Sequence, residues 1–493
     1  MDIDRVEEAQ HGGSSSTQPT RKQIVLPVDD AHPFDLESYS SNYTGRTSIE
    51  RLIHIMLHCP SIAPEAFQLC VQHIHQSRDP SLYQNLLAAY EQLANNTELN
   101  LPNMMELAEL DVKWADETIA KNQADRIKLE VELKTYSNNM IKESIRMAHR
   151  DLGDFFRAVG DYGTSLKHYT KSREFCTTSQ HVLDMCMSIL ELLIEHRNYA
   201  HLNTYVFKAD AALDAATAAN ASATAPGGGT PVPTAVIAGK KKSVERDNVQ
   251  SKLDLATALS YLSSASYEKA AISFLKIGPP KDLGDWIGKL VAPGDIAIYG
   301  TLCALATFQR SAIKSRILEN SIFGSYIEQE PYMRELIEAY MNSNFKVVLE
   351  LLSRYSTRHC IDIHLSPHVH DLTYLIRNCA VVLYFQPFAT IKLERMSAAF
   401  GWTIEEVEYH VVNLIQSGDI QGRVDSQNKI LQAKKTDYRA ELFARAIKTG
   451  REMQAANRKL LLRMRLQQAE LIVKQPKGSA NQGSVIDFLQ SAE

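Results

Sequence analysis

DLGDFFRAVGDYGTSLKHYTKSREF, residues 151–175, decides the fold. Leu152-Gly153 and Phe156 share one helix, Gly160-Asp161-Tyr162 makes a turn, and Ser165, Tyr169 and Ser172 fall on one face of the next helix. Small residues let two helices approach closely and aromatics fill the gap between them, the order of a tetratricopeptide helical hairpin. The second half of this pattern returns in Tyr199, Leu202, Val206 and Ala209, and again in Tyr267, Ala270, Phe274 and Ile277. Tyr83, Leu86, Tyr90 and Leu93 precede them; Phe345, Val348, Leu352 and Tyr355 follow. One such set fits any amphipathic helix. Five along one chain predict a right-handed stack of hairpins, because a lone hairpin cannot bury its own apolar face.

The pattern changes after residue 385. In PFATIKLERMSAAFGWTIEEVEYHVVNLIQSGDIQGRVDSQNKIL, 387–431, a helix carrying Ile391, Leu393, Met396 and Ala399 ends near Gly401. Thr403 and Glu406 form a T-x-x-E capping box that opens a second helix, with Val407, Val411, Leu414 and Ile415 as its apolar face and Gly418 as its stop. Two alternating runs follow, Ile420 to Val424 and Lys429 to Leu431, around Asp425-Ser426-Gln427-Asn428. Helix, turn, helix and hairpin in this order predict a winged helix. A long helix over roughly 437–474 then carries Leu460, Met464, Gln467 and Leu471 at heptad-like spacing before Pro476. The fold class is therefore mainly α: a helical-repeat solenoid, a winged helix and a long C-terminal helix.

The chain has 493 residues, 44% apolar and 23% charged, room for about three domains. A formal net charge of −5 gives no global attraction to nucleic acid or anionic membrane. Seven scattered cysteines without a C-x-x-C pair read as reduced thiols of a cytoplasmic or nuclear protein. The polar N-terminus predicts no secretory signal, and Asp184 and Glu191 interrupt the longest apolar run, 181–194, so no membrane span is expected. Residues 1–33, 211–250 and 475–493 are expected to be a disordered tail, insert and tail, being too poor in large apolar side chains to offset chain ordering. Gly227–Gly229 lacks the strand and the G-K-[ST] of a phosphate loop. Between these segments the expected divisions are a repeat arm at 34–210, further repeats at 251–385, the winged helix at 386–432 and the terminal helix at 433–474.

Nothing in the sequence argues for catalysis. His73-Ile74-His75 and His368-Val369-His370 are H-x-H pairs, but the positions eleven residues beyond, Leu86 and Val381, supply no carboxylate to complete a zinc site. His54 and His58, one turn apart beside Cys59, have no third ligand and read as a helix face. No nucleophile can be paired with a base, and no metal or cofactor is expected. Nucleic-acid binding is the main alternative, since winged helices often place their second helix in the major groove. Here that helix carries Glu405, Glu406 and Glu408 and no Lys or Arg, so it would repel phosphates; Arg423 and Lys429 are too few to reverse this. Residues 434–474 carry eleven Lys/Arg against Asp437, Glu441, Glu452 and Glu470, which fits a solvated basic face or a dock for an acidic partner.

A helical-repeat array ending in a winged helix resembles the PCI-domain family of the proteasome lid, the COP nine signalosome and initiation-factor complexes. Within it, DLGDFF (151–156), GDYGTSLKHYTKSREFCTTSQHV (160–182), DIAIYGTLCALATF (295–308), LSPHVHDLTYLIRNCAVVLYFQPF (365–388), RMSAAFG (395–401) and GRVDSQNKIL (422–431) look like the first-subunit family of the signalosome. The similarity spans roughly 45–210 and 250–475 and leaves out the insert and both tails. The proteasome-lid subunit of the same architecture is the nearest alternative. The resemblance implies a non-catalytic scaffold in an assembly that removes a ubiquitin-like modifier from cullins, with the zinc chemistry in another subunit. It also implies docking to sister subunits through the winged helix and a helix bundle, with contacts to cullin-RING ubiquitin ligases. The partner-facing candidates are Ile420, Arg423, Val424 and Ile430 on the hairpin, and Leu460, Met464 and Leu471 on the last helix.

Overall fold

Helices Lys142–Val159 and Tyr162–Ser172 pack together as the sequence pattern requires. A Cβ on Gly153 would lie 2.5 Å from the Tyr169 ring, so the close approach depends on glycine there. Ser165 Oγ donates to the Gly153 carbonyl at 2.8 Å, and the Tyr169 hydroxyl donates to Asp154 Oδ1 at 2.5 Å. Gly160 turns the chain at φ +93°, a left-handed conformation that costs glycine little. Asp161 then caps the second helix by accepting from the Thr164 amide at 3.0 Å.

This computed structural model describes residues 26–95, 101–102, 107, 111–223, 233–434, 438–469 and 471, and divides the chain into two units, 1–420 and 421–493. In the first unit the hairpin theme repeats: Ser179–Glu195 packs on Leu202–Ala223, and Pro233–Ser263 on Tyr267–Lys276. All five periodic sets point inward, with Tyr199 and Tyr355 half-buried and the remaining members buried. Helix Pro293–Thr307 is buried on every side from Gly294 to Ala306 and packs against Tyr267–Lys276, Ser321–Ile327, Pro331–Met341 and Val369–Phe385. An all-round apolar helix can exist only as a core element. No helix among the described residues is long and apolar enough to cross a membrane.

Two expected boundaries move. Residues 26–33, assigned to the N-terminal tail, include a buried Leu26 whose amide donates to the His58 carbonyl at 2.8 Å. The Pro27 carbonyl accepts from Thr357 Oγ1 at 2.8 Å. Residues 211–250, read as a disordered insert, are largely the continuation of two helices, Leu202–Ala223 and Pro233–Ser263, with Ala212 and Leu213 buried. Alanine is the best helix former, so a composition poor in large side chains is still compatible with helix where a neighbouring helix packs alongside. The Gly227–Gly229 run, residues 1–25 of the expected N-terminal tail and the whole expected C-terminal tail, 475–493, lie outside the described residues.

The winged-helix elements appear in the expected order. Ile391 sits in a short strand, Thr390–Lys392, and not in the helix, which begins at Leu393 and ends at Phe400 before Gly401 at φ +72°. Phe400 stacks on Phe345 with centroids 5.5 Å apart. The capping box of helix Ile404–Ser417 is formed: the Thr403 amide donates to Glu406 Oε2 at 2.9 Å and the Glu406 amide to Thr403 Oγ1 at 3.3 Å. In the second unit, strands Gly422–Asp425 and Ile430–Ala433 pair antiparallel with Val424 opposite Leu431, and helix Tyr438–Gln468 follows.

Candidate functional site

The histidines do not converge on a centre. His73 Nδ1 lies 3.1 Å from Ser48 Oγ, the His75 ring packs on Trp114, and His368 Nδ1 is 3.3 Å from the Tyr267 hydroxyl. The His54 and His58 rings are tilted at 39° to one another with centroids 4.1 Å apart; burial and the neighbouring His58 push His54 down to about 4. Among the described residues no group of three or more His, Cys, Asp or Glu side chains is placed to hold a metal ion.

The densest polar chemistry in the first unit is a buried charge cluster that the sequence reading missed. Arg51 comes from helix Gly45–His58, Asp295 from Pro293–Thr307, Arg358 from Ser356–Ile361, and Asp362 from the loop after it. Arg51 is 1% exposed and Asp295 is fully buried. The Arg51 guanidinium donates to Asp362 Oδ2 at 2.5 Å, to the Tyr39 hydroxyl at 2.7 Å and to Asp295 Oδ2 at 3.3 Å. Arg358 donates to Asp295 Oδ1 at 3.0 Å and Glu330 Oε1 at 3.2 Å. Tyr299 and the amides of His364 and Leu365 complete the shell of Asp362 at 2.5, 3.0 and 2.9 Å, and the Tyr43 hydroxyl donates to Asp295. Burial would raise the Asp362 pKa, but Arg51 and His364 hold it well below the usual carboxylate range. Every carboxylate here is matched by cations and donors, and only Glu330, at the edge of the cluster, is partly exposed. The cluster ties distant segments together and carries no reactive group. Its signals were a lone Arg51 on an apolar helix face and Asp362 between Ile361 and Ile363.

A cleft of about 580 Å³ lies nearby, lined in part by Arg46, Asp79, Asp154, Arg157, Glu191 and Lys289. Its charges are also mutually satisfied. Arg46 pairs with Asp79 at 2.9 Å and Glu50 at 2.7 Å; Glu191 accepts from Arg157 at 2.8 Å, Lys289 at 2.5 Å and Trp286 Nε1 at 2.8 Å. Burial would raise the Glu191 pKa, but Arg157 and Lys289 bring it below the ordinary value. The glutamate that interrupts the apolar run at 181–194 is thus an anchor between helices.

The partner-facing candidates divide. Ile420 is buried, which corrects its assignment: Gly418 at φ +87° turns the chain so that the Ile420 amide donates to the Leu414 carbonyl at 3.0 Å. It closes the helix and is not part of the strand. Arg423 is exposed and donates to Gln432 Oε1 across the hairpin at 3.0 and 3.2 Å; Val424 and Ile430 are half-buried. The Lys434 amide donates to the Gln421 carbonyl. Hydrogen-bonded and non-bonded pairs alternate along an antiparallel ladder, so the Val424–Leu431 pair is non-bonded and the Val424 amide points away from its partner strand.

On the last helix Leu460 is 50% and Met464 61% exposed. Leu471, 59% exposed, lies beyond the end of the helix at Gln468, where its amide returns to the Leu466 carbonyl, so it is not on the expected heptad face. The sequence reading overlooked Leu442, Phe443, Ile447 and Met453, which are exposed on the same helix. In the acidic helix of the wing, Glu405 and Glu406 are exposed, as a nucleic-acid reader would not have them.

Comparison with known proteins agrees with this architecture. Residues 111–316 match the family model described as 26S proteasome subunit RPN7, and residues 352–435 match the PCI domain. COP9 signalosome complex subunit 1 of Arabidopsis thaliana is 33% identical over 443 residues, 89% of this chain and 91% of that protein. Subunit 1b of Drosophila melanogaster is 30% identical, over 91% of this chain and 89% of that protein. The 26S proteasome non-ATPase regulatory subunit 6 of Caenorhabditis elegans is more distant, 20% identical over 67% of this chain and 75% of that protein.

Proposed function

This chain belongs to the family of COP9 signalosome subunit 1, and from that premise we propose that it is a non-catalytic scaffold subunit of a signalosome. The observation that supports this reading most directly is the last helix, whose Leu442, Phe443, Met453, Leu460 and Met464 stand exposed in a row of helical turns. Exposed apolar surface of this extent marks a protein interface. Sister helices would cover it, and the outward amide edge of Gly422–Asp425 would pair with a strand or wing of a neighbouring subunit.

In this reading the assembly removes a ubiquitin-like modifier from cullins, so regulating cullin-RING ubiquitin ligases, and the zinc-dependent chemistry belongs to another subunit. The present chain positions that subunit and the ligase substrate. It works in cytoplasm and nucleus, in keeping with seven free thiols. Native mass spectrometry of the tagged endogenous protein tests the assignment: a signalosome composition is expected, and a proteasome-lid composition overturns it. Imaging of the same tagged protein tests the two compartments.

A further inference from the structure

Helix Tyr438–Gln468 is basic as well as apolar, and most of its cations lie on the side away from its exposed apolar residues, Arg439 and Arg465 being the exceptions. At 3.6 residues per turn, Leu442, Phe443, Ile447, Met453, Leu460 and Met464 occupy one side of the helix. Arg445, Lys448, Arg451, Arg458, Lys459 and Arg463 occupy the other, spread along about 27 Å of axis. Leu462, Leu466, Glu441 and Glu452 interrupt this second side, leaving six cations against two carboxylates. All six basic residues are exposed, and among the described residues none of their side chains forms an ion pair. The chain as a whole is negative, at −5, so this concentration of positive charge runs against its composition.

We propose that this basic side is a docking strip for an acidic protein segment, facing outward from the assembled complex. The inference rests on the reading above that sister helices cover the apolar side. If they do, helix geometry turns the cations away from the bundle toward solvent. A row of Asp and Glu in a helical or extended segment complements such a strip and would be steered to it electrostatically. Insertion into a nucleic-acid groove is disfavoured, because it would turn the apolar side toward one phosphate backbone. A membrane-surface helix would need the same apolar side that the sister helices occupy.

The test uses the complex captured through this chain, wild type and with R445Q, K448Q, R451Q, R458Q, K459Q and R463Q combined. Fluorescence anisotropy with a labelled 16-residue oligoglutamate is compared with a 16-nucleotide single strand and with phosphatidylserine-containing vesicles, at low and physiological salt. The expected result is salt-sensitive peptide binding that weakens about tenfold or more in the variant, with subunit composition unchanged. Unchanged peptide affinity, stronger binding to the nucleic acid or vesicles, or loss of subunits in the variant would each overturn the proposal. The triple variant R445Q/R458Q/R463Q, checked by circular dichroism, serves if the sixfold variant does not fold. Intact assembly of Leu460→Asp would instead remove the bundle reading on which the inference stands, so the two failures are separable.

Discussion

Arg51 shows how much one residue can hold when its surroundings leave it no water. Two carboxylates and a tyrosine meet its guanidinium inside the first unit, and such a pair is stable only while both partners remain. Arg51→Ala would leave Asp362 buried beside Tyr299 with its main cation gone, a loss on the order of 3–5 kcal/mol. Urea denaturation of the free chain measures it; a loss below 1 kcal/mol would show that water enters the cluster. The buried histidines add a pH dependence. Burial, with Arg358 nearby, pushes His359 down to about 3; burial, with Arg51 nearby, pushes His364 down to about 4. The unfolded chain takes up these protons near pH 6.5 and the folded chain does not. Their contribution is therefore complete above about pH 6.5 and is lost as pH falls toward 4. The thermal midpoint should drop across that window, and His359→Gln should flatten the drop; an unchanged slope would mean other groups carry it.

Helical hairpins were readable from sequence because their determinants are local. Gly153 against Tyr169 is a periodic signal, and its energetic content is a contact 2.5 Å from a Cβ that is not there. Gly153→Val should cost roughly 1–3 kcal/mol by forcing the hairpin apart, read as a lowered thermal midpoint. The capping box at Thr403 and Glu406 was legible for the same reason. What escaped was long-range: Asp295 and Asp362 join Arg51 across more than 240 residues of chain, and no window of sequence contains that information. The alanine-rich ends of the supposed insert escaped because helix there depends on the neighbouring helix, not on their own apolar content. Hairpin strands were placed one or two residues early, since Ile420 looked like an alternating residue when it was closing a helix. The corrected register sharpens a test. Val424→Pro removes an amide that points away from the Ile430–Ala433 strand, so the hairpin should persist while subunit association weakens. Equal co-purification of the variant with its sister subunits would exclude that edge as a dock.

At the scale of the molecule, the contrast between the two units carries the functional argument. Among the described residues the buried apolar core lies almost wholly in the first unit, in stacked hairpins and a core helix, with Met140 and Phe207 as exposed exceptions. Residues 438–468 do the reverse: Phe443 is 68%, Met453 67% and Met464 61% exposed. A helix of 31 residues with this much uncovered apolar surface has a reason to exist only if another chain supplies the missing layer. Combining Phe443→Asp with Leu460→Asp should therefore separate two properties that a core mutation would lose together. In the free chain both positions face solvent, so the thermal midpoint should stay nearly constant, within the ~0.5 kcal/mol usual for exposed sites. In the assembly each aspartate would sit unpaired in an apolar interface, costing several kcal/mol, and sister subunits should no longer co-purify. Circular dichroism melting of the free protein and affinity capture of the complex give the two readings. A destabilised free chain would mean that the helix packs on its own residues, and undiminished capture would mean that its apolar side has no partner in the assembly.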